Sequence, residues 1–407
     1  TVGYYDYLQL INTGAVMNYA FGDTTKGDYA YESAPNSTDL TWETVITKNI
    51  GLDLGFLNNR LNVSFDAYIR DTKDMLMAGK TLPGVYGASS PRMNVADLRT
   101  KGWEASVTWG DSFTLASKPF NYRIMAGIGD NTSKVTKYDN PNRTLTDPYE
   151  GQQLGEIWGY VVDGYFKTDE EARNYKVDQS FVNQMINASA LDNGLHAGDL
   201  KFVDLDGNNK IEQTTSANDR KDMKVIGNSL PRYNYNFGIS ADWYGIDFSV
   251  LFQGIGKQNW YPGAETSMFW GPYSRPYASF IPSDFMSQVW SEENTDAYFP
   301  RPRGYVALGS NRELAVVNTK YLQNLAYCRL KNLSIGYTLP DKWLSKIGFE
   351  KIRVYFSSEN LLTFTKLHSD YIDPEQASAS NSWKTSKSDA NIYPWAKTYS
   401  FGVDITF

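Results

Sequence analysis

The sequence predicts an all-β fold, an antiparallel transmembrane β-barrel with long loops at one end. Three observations carry that expectation. Large rings abound, with 29 Tyr, 20 Phe and 11 Trp making up 15% of 407 residues. Apolar residues recur at every second position in many separate segments, the period of a strand with one greasy and one wet face. The links between those segments are either very short or very long.

The ring content is the first point. Mean hydropathy is low, at -0.47, and a soluble core of that polarity has no use for so many rings. A membrane barrel does, because Tyr and Trp sit at both lipid–water boundaries with apolar bodies in lipid and polar tips wet. No apolar run reaches the roughly 18 residues of a transmembrane helix. Strands cross with half as many, and a closed barrel satisfies every backbone amide in lipid.

The alternation is explicit. Tyr233, Tyr235, Phe237, Ile239, Ala241 and Trp243 interleave with Asn234, Asn236, Gly238, Ser240 and Asp242. After a turn at Tyr244-Gly245 the phase flips, and Ile246, Phe248, Val250 and Phe252 alternate with Asp247, Ser249, Leu251 and Gln253, where only Leu251 breaks the pattern. That is a hairpin. Ile50–Phe56 and Leu61–Ala67 repeat it around Asn58-Asn59, and Trp103–Trp109, Tyr122–Ile128, Leu333–Leu339, Ile352–Phe356 and Tyr399–Phe407 follow. In all, roughly ten to twelve such segments of about ten residues are expected, the length of a tilted membrane strand. A soluble sandwich also alternates. Here, however, aromatics bracket the apolar stretches and the other face is Asn, Ser, Gly and Asp, as a wet lumen requires.

Long connections are expected at 129–157, 167–231 and 254–320. Short turns on one side and long loops on the other place the long ones outside the cell. The last strand, with Tyr399, Phe401, Val403, Ile405 and Phe407 on one face, resembles the terminal assembly signal of outer-membrane barrels. As a plain soluble edge strand it would leave apolar groups and amides unprotected.

Several stretches, in order and spread over nearly the whole chain, resemble the SusC-type subfamily of TonB-dependent transporters. They are Leu40-Thr-Trp-Glu43, Asn49-Ile-Gly-Leu-Asp53, Phe56–Leu61 and Thr72–Leu76; then Gly198–Gly207, Ile226-Gly-Asn and Pro231; then Arg329–Tyr337 and Ser358–Phe364. The resemblance implies a plugged barrel of about 22 strands in the outer membrane of a Gram-negative bacterium. It implies import of a glycan or peptide beneath a SusD-type lipoprotein lid, with energy passed by TonB. No TonB box or plug is visible, and 407 residues are too few for such a barrel. The chain is therefore expected to be the C-terminal part, with the plug domain and first half of the barrel elsewhere.

Asp204, Asp206, Asn208, Lys210 (through its carbonyl) and Glu212 place oxygens at alternate positions, as a calcium loop does. Thr215 stands where the closing carboxylate belongs. The family pattern has Asp before Arg there, and Asp219-Arg220 matches it if 214–217 is an insertion. A structural Ca2+ or Mg2+ is the expectation; an Asx-rich surface turn that binds nothing is the competing reading. Trp260, Tyr261, Phe269, Trp270, Tyr273 and Tyr277 crowd one loop, where they either meet a ligand or lid protein, or pack the loop on itself. Ser382–Trp395 carries the same ambiguity.

Other function classes fall away. A net charge of -7 offers no basic face to nucleic acid. A single cysteine, Cys328, excludes an intrachain disulfide or multi-cysteine metal centre, and its strand-like setting suits packing. His196 and His368 lack an evident nucleophile, and Gly84–Gly87 lacks the strand-to-helix setting of a phosphate loop. No enzyme activity and no catalytic cofactor are expected. The alternatives to active import are a passive porin-like channel and a surface binding protein on a barrel scaffold.

Overall fold

The computed structural model describes residues 8–14, 29–32, 37, 40–79, 83–86, 90–183, 194–274, 281–302, 307–309, 312–344, 348–377, 387–388 and 393–407. Nine strands form its main sheet: β1 (Thr44–Phe56), β2 (Leu61–Ala78), β3 (Arg92–Leu115), β4 (Lys118–Lys137), β5 (Arg232–Trp243), β6 (Ile246–Lys257), β7 (Tyr327–Thr338), β8 (Lys351–Thr365) and β9 (Thr398–Thr406). They lie side by side in chain order, with β1 and β9 at the edges. The five pairs from β4 to β9 are antiparallel. The nine alternating segments named above coincide with these strands, Leu339 and Phe407 lying one residue past their ends, and among the described residues the main sheet has nine strands where ten to twelve segments were expected. The remaining short strands belong to the long connections.

Register turns the two-residue period into rows. Arg123, Ser240, Ser249, Ser334, Ser357 and Ser400 stand opposite one another across six strands, a hydroxyl-lined row. One residue away, Tyr122, Ala241, Phe248, Ile335, Phe356 and Phe401 make an apolar row. Because a strand turns successive side chains to opposite faces, the two rows lie on opposite sides of the wall. Isoleucines 50, 239 and 246, Phe65, Phe237, Val403 and Phe401 remain exposed, whereas none of the largest fully buried side chains lies in the nine strands. This inverts a water-soluble protein, where strands bury their apolar face. No helix among the described residues is long and apolar enough to cross a membrane.

The strands outrun the sequence estimate. β4 continues past Gly129 to Lys137 and β6 past Gly254 to Lys257, so the loops expected from 129 and 254 begin later. Both extensions lack apolar alternation; they bury Asp130, Val135 and Ile255, single contacts that impose no period of two.

The chain divides into two compact units, one of residues 1–49, 68–101 and 132–153, the other of the rest. In the first, Asp74 adopts φ 55°. Its amide donates to Asp97 at 2.9 Å and its carbonyl accepts from Asn94 at 2.6 Å, so side chains satisfy the backbone of this left-handed residue within the strand. In the same unit Arg99 forks onto Asp71 at 2.6 and 3.1 Å.

The second unit holds the only large apolar core among the described residues, and loops build it. Trp260, Trp270, Tyr261, Tyr273, Phe299, Tyr321 and Leu314 are its centre. Small ladders frame it: 156–160 with 223–228, 162–165 with 200–202, and 259–262 with 323–324.

Candidate functional site

On the polar face of the second unit, beneath the loop core, a cavity of about 550 Å³ opens. That size lies within the roughly 300–1,000 Å³ of ligand pockets. Asn234 and Asn236 on β5 and Gln253 on β6 line it, with Met125, Leu251, Tyr327 and the segment Pro374-Glu375. Asn236 stands directly opposite Gln253 across the β5–β6 pair, and Asn234 opposite Ile255. All three carboxamides are exposed, and among the described residues none has a protein hydrogen-bond partner.

One wall of the cavity is bolted in place by charge. Arg329, almost wholly buried on β7, donates to Asp373 and to Glu375 at 2.6 Å each and to Thr363 Oγ1 at 2.9 Å. Lys331 donates to both oxygens of Glu375, at 2.9 and 2.8 Å. Asp373 also accepts the Trp395 amide at 3.1 Å. Two cations meet two carboxylates, so the network closes on itself and buries no unpaired charge. A bulge makes it reachable. The β6–β7 and β7–β8 registers both skip Lys331, which lets Arg329 and Lys331 share the wet face with Asn332 and Ser334. The signal was present in Arg329-Leu-Lys-Asn-Leu333, where the apolar spacing lengthens from two to three.

The aromatic loop residues lie elsewhere. Trp260, Tyr261, Phe269, Trp270 and Tyr273 are buried, packed on one another and on Phe299. Phe269 meets Trp270 edge-on at 4.7 Å, and Phe285 stacks on Phe299 at 4.8 Å. Their polar tips are consumed by backbone: Tyr261 Oη donates to the Leu314 carbonyl at 2.8 Å, and Trp270 Nε1 to that of Gly263 at 2.9 Å. These rings leave no free face for a ligand to stack on, and packing accounts for them. Tyr277 and most of Ser382–Trp395 lie outside the described residues. His368 stacks on Tyr298 at 3.5 Å with Nε2 2.8 Å from Gln288. Burial pulls its imidazole below the usual range, Asp370 opposing and Lys320 reinforcing.

The Asp-rich loop turns on Gly207 (φ 80°) and Asn209 (φ 62°). Asp204 accepts the amides of Gly207 and Asn209, at 2.8 and 2.7 Å. Asn208 donates to Asp206 and to Glu212, while Glu212 also meets Lys221 at 3.4 Å. The carboxylates that converge, within 4.8 Å, are Asp204, Asp206 and Asp222. Asp222 was not anticipated. It is fully buried and takes the amides of Leu205 and Glu212 at 2.9 and 2.7 Å. Burial pushes its carboxyl up, with Asp206 and Asp204 adding to the effect. Asp219, expected to close the loop, is exposed and outside this group: it sits in a turn whose amide bonds Ser216, three residues short of the buried position. Lys210 lies opposite Asp178 in an isolated bridge whose hydrogen bonds are made by the Asn209 carbonyl and the Ile211 amide, while its own amide donates to Asn208 Oδ1 at 2.8 Å. Three oxygens so arranged can hold a hard divalent cation.

Tyr399, Phe401, Val403, Ile405 and Phe407 are all exposed, on or just past β9. Cys328 lies on β7 opposite Gly254 and Phe364, half-buried.

A wall of antiparallel strands with an apolar outer face, a wet inner face and a packed loop core defines an outer-membrane-type β-barrel segment. Residues 4–361 match the family described as TonB dependent receptor-like, beta-barrel, and the chain belongs to that family. Its members are receptors and transporters, not enzymes. The chain is 28% identical over 91% of its length to TonB-dependent receptor P3 of Formosa agariphila, and 24% identical over 96% to TonB-dependent receptor SusC of Bacteroides thetaiotaomicron. It spans 34% of each, about a third of the length of these relatives. Among solved structures it is similar to the RagAB peptide importer in its "open-open" state, with TM-score 0.68 and 22% identity, covering 100% of this chain and 38% of that one. That likeness shows the fold.

Proposed function

We propose that this chain is the C-terminal wall and loop region of an outer-membrane nutrient importer. The observation that carries the reading is the pair of rows running across six strands, one apolar with none of its side chains buried, the other polar, five serines and Arg123. Such a wall is stable with lipid on one side and water on the other. A ligand, glycan or peptide, enters from the loop side and meets the polar face. The first half of the barrel, a plug and the segment that meets TonB belong to the portion of the relatives this chain does not span. A SusD-type lipoprotein is the partner of the loop side; the family match and the RagAB likeness support that assignment. The Asp204–Asp206–Asp222 loop takes a structural Ca2+, with Asn208 and Glu212 completing its oxygen set.

Uptake by cells carrying the full-length protein, with and without functional TonB, tests the reading. Ligand uptake lost without TonB is expected. A steady ion conductance in planar bilayers with TonB-independent flux would establish a passive channel instead.

A further inference from the structure

On β1 to β4 the outer face of the wall changes character where its apolar residues end. Two residues at a time from Ile50, Phe65, Trp103 and Ile128, away from the short turns, that face carries Lys48, Lys73, Lys101, Arg99 and Lys134. Two contacts fix the phase. Trp109 Nε1 donates to Tyr122 Oη at 2.9 Å on the outer face, and the Thr100 and Ser133 hydroxyls meet at 2.7 Å on the other. All five cations are exposed and belong to the first compact unit. The same stretches put two carboxylates on this face. Asp71 holds Arg99 and feels Lys73 and Lys48, and Asp97 accepts the Asp74 amide. Among the described residues the four lysines have no ion-pair partner. A positive excess therefore stands here in a chain of net charge -7. Ile46 and Ile69, also exposed, stand among the cations on the same face.

We propose that this row binds the phosphates of the glycolipid that forms the outer leaflet of an outer membrane, with Lys48, Lys101 and Lys134 as the phosphate ligands. Three arguments select that occupant. The row continues the lipid-facing surface, so what covers it is an amphiphile and not a soluble anion. Lys101 follows Trp103 by two residues, about 7 Å of strand, the step from an interfacial ring to a charged headgroup. Ile46 and Ile69 then meet the upper part of the acyl chains. The second argument is breadth. The cations span four neighbouring strands, about 14 Å at ~4.8 Å per strand. That is wider than one phosphodiester and suits two phosphates carried on a single sugar headgroup. The third is side. The row lies towards the long-loop end, which faces outside, and there the neighbouring lipid is the glycolipid. Asp71 is a positioning residue: it orients the Arg99 guanidinium along the sheet.

The proposal rests on the membrane wall and not on import, so TonB-independent flux would leave it standing. The full-length protein, stripped of lipid in detergent, is mixed with one of three lipids. They are hexa-acyl lipid A bearing two phosphates, the same lipid A dephosphorylated, and dioleoyl phosphatidylglycerol. Native mass spectrometry measures the adducts. The two-phosphate lipid A forms a one-to-one adduct, and loss of its phosphates weakens binding about tenfold. Lys48→Ser with Lys101→Ser and Lys134→Ser weakens it to a similar degree. Lys342→Ser, in the β7–β8 turn at the opposite end of the strands, leaves it unchanged. Heat-modifiable gel mobility shows that each variant is folded, and the dephosphorylated lipid tests the same contact without any substitution. Equal binding of the dephosphorylated form overturns the proposal, as does an adduct that the triple variant keeps. Phosphatidylglycerol bound as tightly as lipid A overturns it too, and would make the row a collar for any anionic lipid.

Discussion

Arg353 on β8 reaches past the intervening strand to hold Asp247 on β6 at 2.6 Å, and on its other side meets Asp404 at 3.2 Å. The path is open because residue 336 between them is glycine: a Cβ there would collide with the Asp247 carboxylate and the Arg353 guanidinium. Gly336→Ala is therefore expected to lower stability by about 1–3 kcal/mol through overpacking, read as a lower urea midpoint in detergent. Asp247→Asn, which keeps the glycine and weakens a partly solvated pair, costs about 1 kcal/mol or less.

The network at Arg329 behaves differently because it is dry. Arg329→Met leaves the buried Asp373 without its cation, while Lys331 stays on Glu375, and is expected to cost about 3–5 kcal/mol. The same urea titration measures it, and added salt should change the parent protein's midpoint little, since buried pairs are poorly screened.

Opposite faces of one strand should answer oppositely to charge. Ile239→Arg puts a guanidinium in lipid and is expected to cost about 2–4 kcal/mol near the midplane. Ser240→Arg, one residue along and on the wet row, is expected to be nearly neutral. Folding yield into phosphatidylcholine vesicles, followed by heat-modifiable gel mobility, compares the two.

The Asp222 carboxyl gives a signed pH effect. Its folded value is raised above the usual 3.8, so the folded state holds the proton more tightly than the unfolded chain. Its unfavourable contribution is absent at low pH, grows as pH rises from 3.8 through the raised value, and is complete above it. In EDTA, the stability difference between the parent protein and Asp222→Asn is expected to move in the variant's favour across that acidic window. Calcium is expected to reverse the order, raising the parent's melting temperature and leaving the variant's unchanged.

His368 titrates in the other sense. Its folded value lies below the usual 6.5, so the neutral stacked ring contributes stability that is present above 6.5 and lost as pH falls through the folded value. Thermal melts at acidic and neutral pH should show the loss, and His368→Phe, which keeps a ring against Tyr298, should flatten it.

The wall was legible in the sequence because lipid enforces a period of two, and Tyr233–Phe252 obeys it on both strands of a hairpin. It stopped being legible at the ends of β4 and β6, where Val135 and Ile255 are buried singly and no alternating pattern announces the strand. The Asp-rich turn was visible from spacing, yet Asp222 was not, because its place in the cluster is fixed by the fold of 213–221 rather than by distance along the chain. Glu375 and Arg329 lie 46 residues apart, and only the folded loop brings them together. The rings at 260–273 were seen as a crowd; that they face inward follows from the small ladders beside them.

β3 runs for 24 residues, about 80 Å of chain at ~3.3 Å per residue, against a hydrocarbon band of ~25 Å. Even at a steep tilt, more than half of that strand stands in water, like a pier rising clear of the tide. Antibodies or phage aimed at it would find hydrogen-bonded backbone above the lipid headgroups. The height at which this surface can be touched is thus set by strand length rather than by the loops at its top.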